Sequence, residues 1–262
     1  MGKRPIAIID SGVGGLTVVK ELQSLLPKEN LIYFGDNKNV PYGSKSREEI
    51  VILTKKMLDF LMEKDVKLIG IGCNTISTVL NLIAPQYDVK IIGIIDPVVN
   101  YIAKLTNNKV GLIATPFTAK SGYYNLTLSN FNKNIEIVAE GCPKLASLID
   151  SGIYTKDEVK EEIAEPMAQL NANHALDTII LGCTHYAIIT DHLQKLYPDT
   201  VFINPALYQA LAIKKYLTEH DMLNVSEGHG DISVFTTGAT ECYQRFLAIL
   251  GITGVSSINK VE

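Results

Sequence analysis

Two cysteines follow apolar runs and precede small polar residues, in segments that resemble each other. Cys73 lies in the sequence IGCNT (71–75) and Cys183 in LGCTH (181–185). A thiolate accepts a proton and a thiol returns it, so two cysteines in one site could move protons on opposite faces of a substrate. A cysteine taken alone is more often a small apolar core residue, and only the repeated motif favours chemistry here.

The elements that must position these thiols are two strands and the segments that follow them. The runs 67–71 and 178–181 have the length and β-branched composition of buried parallel strands, and the segments after each cysteine read as helices. Both thiols are therefore predicted at the carboxyl ends of strands, where ligands bind in open α/β sheets. A helix N-terminus beside each cysteine would favour its thiolate form.

Strand and helix patterns alternate along the chain and then recur. Alternation of this kind predicts right-handed βαβ units and a mainly parallel sheet. Residues 6–11 match 110–115 at an offset of 104, and 31–36 match 135–140 at the same offset; Cys73 and Cys183 lie 110 apart. Any two α/β lobes share such a rhythm, but a shared rhythm does not explain the repeated Gly-Cys motif.

The sequence therefore predicts an α/β fold of two similar, open, mainly parallel-sheet lobes related by pseudo-two-fold symmetry, with the active site in the cleft between them. The first lobe is predicted to contain residues 1–97 and 207–262, because 232–235 reads as one more strand of that lobe. The second lobe is predicted to span 98–206. No low-complexity linker separates them, so we expect the lobes to meet over a substantial face.

Composition excludes several classes of function. The chain has 262 residues, 47% of them hydrophobic, and a formal net charge of -4, which gives no broad basic surface for nucleic acid. No apolar run approaches the roughly 20 residues that cross a bilayer, so we expect a cytoplasmic protein with no membrane partner. Four cysteines, without Cys-x-x-Cys spacing, predict neither a disulfide framework nor a metal site.

Loops after the predicted strands supply further candidates. The loop 10–17 (DSGVGGLT) lacks the last glycine of a dinucleotide fingerprint, although Asp36 lies at the distance along the chain where such sites carry an acid. The same loop could hold a carboxylate with its N–H groups and Ser11, or could be a turn in which Asp10 caps a helix. Pro41 and Gly43 mark an ordered turn around Tyr42, and the hydroxyls of Thr115 and Thr118 suit a binding wall or a helix cap.

Four motifs in this order resemble those of the glutamate racemases, within the aspartate/glutamate racemase superfamily. They are DSGVGG (10–15), PYG (41–43), GCNT (72–75) and LGCTHY (181–186), and the resemblance runs from about residue 6 to residue 238. The resemblance implies two pseudo-symmetric α/β lobes and a racemisation that needs no cofactor and no metal. It also implies that the protein supplies D-glutamate for peptidoglycan synthesis and that it forms a homodimer.

The resemblance also implies roles for individual residues. Cys73 would take the α-proton of D-glutamate with help from Asp10, and Cys183 that of L-glutamate with help from His185. The residues expected to bind the substrate are Ser11, Pro41, Tyr42, Gly43, Asn74, Thr75, Thr115, Thr118 and Thr184. Asp36 is a further candidate, as is Asp150, which stands where the family usually has glutamate. Cys142 and Cys242 are interpreted as core or partly exposed thiols because they lack the strand-end context.

Two other classes of function stay open on these residues. One is a racemase or isomerase on the same scaffold that acts on aspartate, a hydantoin or maleate, although the full motif set favours glutamate. The other is a non-catalytic two-lobe protein that closes on an amino acid, which would have no need of two thiols. Incorporation of solvent deuterium at the α-carbon separates turnover from binding.

Overall fold

The computed structural model describes residues 2–105, 109–152, 155–172 and 176–261, in which strands and helices alternate. The strands of the described chain are β1 (Ile6–Asp10), β2 (Leu31–Gly35), β3 (Leu68–Ile71), β4 (Lys90–Gly93), β5 (Lys109–Ala114), β6 (Glu136–Gly141), β7 (Thr178–Gly182), β8 (Val201–Ile203), β9 (Ile232–Thr236) and β10 (Val255–Lys260).

The helices are α1 (Leu16–Leu25), α2 (Arg47–Met62), α3 (Asn74–Ser77), α4 (Leu80–Ile83), α5 (Ile95–Ile102), α6 (Pro116–Lys120), α7 (Tyr123–Ser129), α8 (Leu145–Ser151), α9 (Lys156–Ala172), α10 (Thr190–Leu196), α11 (Pro205–Glu219) and α12 (Thr240–Leu250). Short 3-10 helices add Asn37–Asn39, Tyr42–Ser44, Ala84–Gln86 and Tyr186–Ile189. No helix of the described ranges is both long and apolar enough to span a bilayer.

The strands form two sheets in which neighbouring strands are parallel. One sheet has six strands in the order β10-β9-β2-β1-β3-β4, and the other has four in the order β6-β5-β7-β8. The order β2-β1-β3-β4 in the first sheet recurs as β6-β5-β7-β8 in the second. The predicted α/β fold with two similar parallel sheets is confirmed.

The register of the two sheets corrects one detail of the predicted duplication. Ile8 pairs with Tyr33 in the first sheet, and Leu112, which lies 104 positions after Ile8, pairs with Ala139 in the second. The offset between β2 and β6 is therefore 106, and the predicted offset of 104 is wrong. A shift of two residues leaves the same side chains on the same face of a strand, so the hydrophobic pattern could not reveal it.

The chain crosses between the two sheets at two helices. After β4 the chain forms α5 before it enters the second sheet, and after β8 it returns through α11, which packs against α5. Strand β9 then pairs with β2, so the C-terminal strands extend the first sheet. The predicted lobe boundaries at 97/98 and 206/207 fall inside α5 and α11, and they stay a prediction.

Two apolar clusters hold the sheets and helices together. Ile6 and Ile8 of β1 point into one cluster, whereas Ala7 and Ile9 point to the other face of the sheet and into the second cluster. The first cluster continues into the second sheet through residues such as Val110. Because this core is shared, it holds the carboxyl ends of the two sheets close to each other.

A buried ion pair lies at the start of β3, away from the carboxyl ends of the strands. Lys67 Nζ contacts Glu29 Oε2 at 2.5 Å, and both side chains are almost fully buried. Lys67 Nζ also donates to the carbonyl oxygens of Gly2 at 2.7 Å and Met222 at 2.8 Å, and Glu29 Oε1 accepts from Asn224 N at 2.8 Å. The pair thereby joins four separate segments of the chain at one point.

Candidate active site

The carboxyl ends of both sheets border one cavity of about 520 Å³. Loops after β1, β2 and β3 line it from one side, and loops after β5, β6 and β7 line it from the other. Of the predicted site residues, those that line the cavity are Ser11, Pro41, Tyr42, Gly43, Cys73, Asn74, Thr75, Thr115, Asp150, Cys183, Thr184 and His185. Asp10, Asp36 and Thr118 do not line it and contact residues that do.

Cys73 lies two residues after β3 and directly before α3. The thiol is buried, and its sulfur is 3.6 Å from Ser11 Oγ, which in turn donates to Asp10 Oδ1 at 3.4 Å. Burial and, second, the negative charge of Asp10 raise the pKa of the Cys73 thiol to about 12. The first turn of α3 does favour the thiolate, because the backbone N–H of Ile76 lowers the pKa of Cys73, but burial and the charge of Asp10 outweigh this contribution.

Cys183 lies directly after β7, and its neighbours differ from those of Cys73. His185 Nδ1 is 3.8 Å from the sulfur, and His185 Nε2 is 3.4 Å from Asp150 Oδ1. The predicted helix after Cys183 is a 3-10 helix, Tyr186–Ile189, which leads into α10. Asp150, His185 and Cys183 therefore form a chain of contacts from α8 into the cavity.

His185 is positively charged over a wider pH range than an ordinary histidine. Burial lowers the pKa of His185, but the hydrogen bonds to Asp150 and Cys183 outweigh burial and raise that pKa well above its usual value. A protonated imidazole donates one N–H to each neighbour, so His185 can pass a proton to the Cys183 sulfur, and the neutral imidazole that results can take a proton back from it.

We expect Asp150→Asn to lower stability more at acidic to neutral pH than at alkaline pH. The raised pKa of His185 stabilises the folded protein fully below the unfolded pKa of about 6.5, and this contribution disappears as pH rises through the folded pKa. Asparagine keeps a hydrogen-bond acceptor for Nε2 but removes the charge. Urea unfolding from about pH 6 upward measures the difference from wild type, with the exposed Asp88→Asn as control. If the difference in unfolding free energy between Asp150→Asn and wild type did not change with pH, Asp150 would not be the residue that raises the pKa of His185.

Asp10 does not line the cavity, but its carboxylate joins the two halves of the site. Its carboxylate accepts from Gly12 N at 2.9 Å through Oδ1 and from the Thr184 hydroxyl at 3.0 Å through Oδ2. Burial raises the pKa of Asp10, although the charge of His185 and these hydrogen bonds oppose it. The alternative in which Asp10 caps the following helix is wrong, because the N-cap of α1 is Gly15 and Asp10 binds the turn before it.

The glycine-rich loop after β1 allows the second half of the chain to pack closely against its backbone. A Cβ on Gly14 would collide with Thr184 Oγ1 and with the ring and backbone nitrogens of His185. The loop backbone is therefore covered by the second half of the chain, and a dinucleotide pyrophosphate could not lie against it. This contact argues against a dinucleotide at Gly14, and the Asp36 carboxylate is occupied by hydrogen bonds from Tyr42, Asn39 and Thr237.

Three threonines from both halves bring their hydroxyls together at the cavity wall. Thr75 Oγ1 is 3.0 Å from Thr115 Oγ1 and 3.3 Å from Thr118 Oγ1. Thr115 also caps α6, because its hydroxyl accepts from Thr118 N at 3.4 Å. Both sequence-based interpretations of Thr115, as a binding wall and as a helix cap, thus fit its position.

Asp36 organises the loop that carries Pro41, Tyr42 and Gly43. The Tyr42 hydroxyl donates to Asp36 Oδ2 at 2.6 Å, and the Asn39 amide and the Thr237 hydroxyl also donate to this carboxylate. The hydroxyl of Tyr42 is therefore engaged with Asp36, while Tyr42 and the neighbouring Pro41 and Gly43 line the cavity. Asp36 thus holds in place the loop that lines this side of the cavity.

The cavity has a third thiol that the sequence did not indicate. Cys142 directly follows β6, is buried and lines the cavity, so the interpretation that it lacks a strand-end context is wrong. Burial, with a smaller contribution from the charge of Cys183, raises the pKa of the Cys142 thiol to about 12. The corrected offset of 106 makes Cys142 the counterpart of Asp36, which is the signal that could have placed it at the site.

Comparison with known proteins gives one consistent family. The family described as Asp/Glu/Hydantoin racemase matches residues 6–210. A glutamate racemase of Carboxydothermus hydrogenoformans is 41% identical over 259 residues, which cover 98% of this chain and 96% of the relative. The likeness therefore includes both sheets and every motif of the cavity.

Solved structures agree with the sequence comparison. A glutamate racemase isoform from Bacillus anthracis has a TM-score of 0.93 at 28% identity, covering 100% of this chain and 98% of that one. The glutamate racemase from Francisella tularensis, crystallised in complex with D-glutamate, has a TM-score of 0.88 at 33% identity, with coverage of 100% and 98%.

Proposed function

The chain belongs to the Asp/Glu/Hydantoin racemase family, and we propose that it is a glutamate racemase that interconverts L-glutamate and D-glutamate with one cysteine base on each face of the substrate. The observation that carries this proposal is that Cys73 and Cys183, from corresponding positions of two similar sheets, line the same cavity. The relative from Francisella tularensis, which was crystallised with D-glutamate, supports the choice of substrate.

Inversion of an α-carbon requires a proton acceptor on one face and a proton donor on the other. From L-glutamate, Cys183 takes the α-proton while Cys73 gives its own proton to the opposite face. The raised pKa of Cys73 suits it to hold a proton until the substrate needs one. Protonated His185 supports Cys183 as a thiolate in this direction and returns a proton when Cys183 acts as the acid.

In the reverse direction Cys73 must lose its proton before it can act as a base. Ser11 lies between the Cys73 sulfur and the Asp10 carboxylate, so its hydroxyl can accept the thiol proton and donate its own to Asp10. The raised pKa of Asp10 makes this carboxylate a better proton acceptor than an exposed aspartate. Thr184, which also donates to Asp10, keeps the carboxylate in place.

The carbanion that forms between the two thiols is stabilised by hydrogen bonds to the α-carboxylate. Asn74 and Thr75 lie directly after Cys73, Thr184 lies directly after Cys183, and all three line the cavity, which supports a role for these polar groups around the reacting carbon. Ser11 and the Tyr42–Gly43 backbone complete the wall that holds the carboxylates and ammonium of the substrate. Holding both thiols and the substrate in one geometry contributes several kcal/mol of the barrier reduction, on the order of 7 to 11 kcal/mol at best.

We further propose that the reaction needs neither metal nor pyridoxal phosphate. Among the described residues that line the cavity there is no lysine to form a Schiff base. Lys67 is engaged with Glu29 at the other end of β3. The product D-glutamate would supply peptidoglycan synthesis, the role that the resemblance implies, and a homodimer in the cytoplasm stays part of the same expectation.

Purified protein incubated with L-glutamate in D2O, with EDTA and without added cofactor, is expected to form D-glutamate that carries deuterium at the α-carbon. Proton NMR follows the loss of the α-proton signal, and circular dichroism follows inversion. L-aspartate in the same assay tests the related racemase class. Binding of glutamate without exchange would identify a binding protein instead, and faster turnover of aspartate would move the assignment to that substrate.

A further inference from the structure

The side-chain amide of Asn74 has a donor without a partner. Asn74 is 2% exposed and lines the cavity, yet its Nδ2 makes no hydrogen bond within the described chain. A buried N–H group without an acceptor is costly, so such a group indicates a partner that arrives with the ligand. An amide N–H₂ can only donate, so within the proposed function its partner is a substrate carboxylate.

The other end of this amide is held from the opposite half of the protein. Tyr124 lies in α7, after β5, and its hydroxyl donates to Asn74 Oδ1 at 2.7 Å. Tyr124 is 2% exposed and is not among the residues that line the cavity. Burial and the charge of Cys183 raise the pKa of Tyr124 well above its usual value, so the hydroxyl keeps its proton and stays a donor.

We propose that Tyr124 is a positioning residue that fixes the orientation of the Asn74 amide, so that Nδ2 and not Oδ1 faces the substrate carboxylate. The terminal torsion of asparagine has two nearly equivalent orientations, and only the neighbours of the amide decide between them. Without the Tyr124 hydroxyl, Oδ1 would be presented to the carboxylate part of the time and would repel it. This inference rests on the proposed function. It adds Tyr124, from the second half of the protein, to the substrate contact that Asn74 makes from the first half.

The contact also crosses between the two halves of the protein. Asn74 lies in α3, which follows β3 of the first sheet, and Tyr124 lies in α7, which comes after β5 of the second, so this hydrogen bond joins the two halves. The amide is therefore oriented for the substrate in the same arrangement that brings both thiols to one cavity. A single hydrogen bond thereby links the packing of the two halves to the binding of the substrate.

Tyr124→Phe is expected to lower kcat/KM by roughly tenfold for both enantiomers, mainly through a higher KM, since binding and not proton transfer is affected. The neighbouring Tyr123→Phe is the matched control, because Tyr123 is in the same helix, half-buried and outside the cavity, and we expect wild-type parameters for it. Thermal unfolding of each variant reports any general loss of packing.

A double-mutant cycle with Asn74→Ala separates positioning from a merely structural role. If Tyr124 acts through the Asn74 amide, Tyr124→Phe has no further effect on KM once that amide is absent. Additive effects on KM, or unchanged parameters in Tyr124→Phe, would overturn the inference. If wild-type protein does not racemise glutamate at all, the proposed function fails, and that outcome is visible before any variant is compared.

Discussion

Replacing either Cys73 or Cys183 with alanine is expected to reduce glutamate racemisation by at least about a thousandfold, because each variant keeps an acid or base on only one face of the substrate. Each thiol lies at its own strand end, Cys73 after β3 of the first sheet and Cys183 after β7 of the second. Circular dichroism with each enantiomer measures inversion. Residual exchange with D2O is expected only from L-glutamate in Cys73→Ala and only from D-glutamate in Cys183→Ala.

The control for this experiment is Cys242→Ala. Cys242 is half-buried in α12 and does not line the cavity, so its removal tests the effect of losing a thiol elsewhere. Both active-site variants are expected to fold, since each loses only one sulfur atom. Wild-type racemisation by a folded Cys183→Ala protein would disprove the two-base mechanism.

Lys67→Met is expected to lower the free energy of unfolding by roughly 3–5 kcal/mol, because it leaves the Glu29 carboxylate buried without its countercharge. The effect is large because Lys67 also satisfies two backbone carbonyl oxygens that would then lose their donor. Urea unfolding measures the change. Racemisation at a temperature where the variant is folded should be close to wild type, since the pair lies away from the cavity.

An exposed pair provides the comparison for this buried one. Lys215 and Glu219 are 3.7 Å apart on the surface of α11, and Lys215→Met is expected to cost no more than about 0.5 kcal/mol. Replacing Lys67 and Glu29 together by apolar residues should recover part of the loss, because no lone charge then remains buried. Equal effects of Lys67→Met and Lys215→Met would refute the role assigned to burial.

Local sequence patterns were enough to predict the strands, the two similar sheets and the turn that lines the cavity. The apolar runs before Cys73 and Cys183 are short and β-branched, and each forms a buried strand that ends beside the cavity. The recurrence of strand and helix patterns predicted two similar sheets, because the same order of elements occurs twice along the sequence. Turn residues likewise indicated the loop that carries Pro41 and Gly43.

The remaining features depend on contacts between distant segments, which no local pattern contains. Tyr124 reads as one more aromatic residue of an amphipathic helix, and only the approach of α7 to Asn74 gives its hydroxyl a role. Cys142 was missed because the register of β6 differs by two residues from the apparent repeat. The raised pKa of Cys73 follows from burial beside Asp10, and local sequence suggested the opposite.

The division of strands between the sheets determines the order in which the protein can be assembled during synthesis. Strands β5 to β8 are contiguous, so the smaller sheet can be complete when residue 203 has left the ribosome. The larger sheet must wait for β9 and β10, and until they arrive β2 is an exposed edge that can pair with other chains. Nascent or truncated chains that end before residue 232 are therefore the forms of this protein that should aggregate most readily.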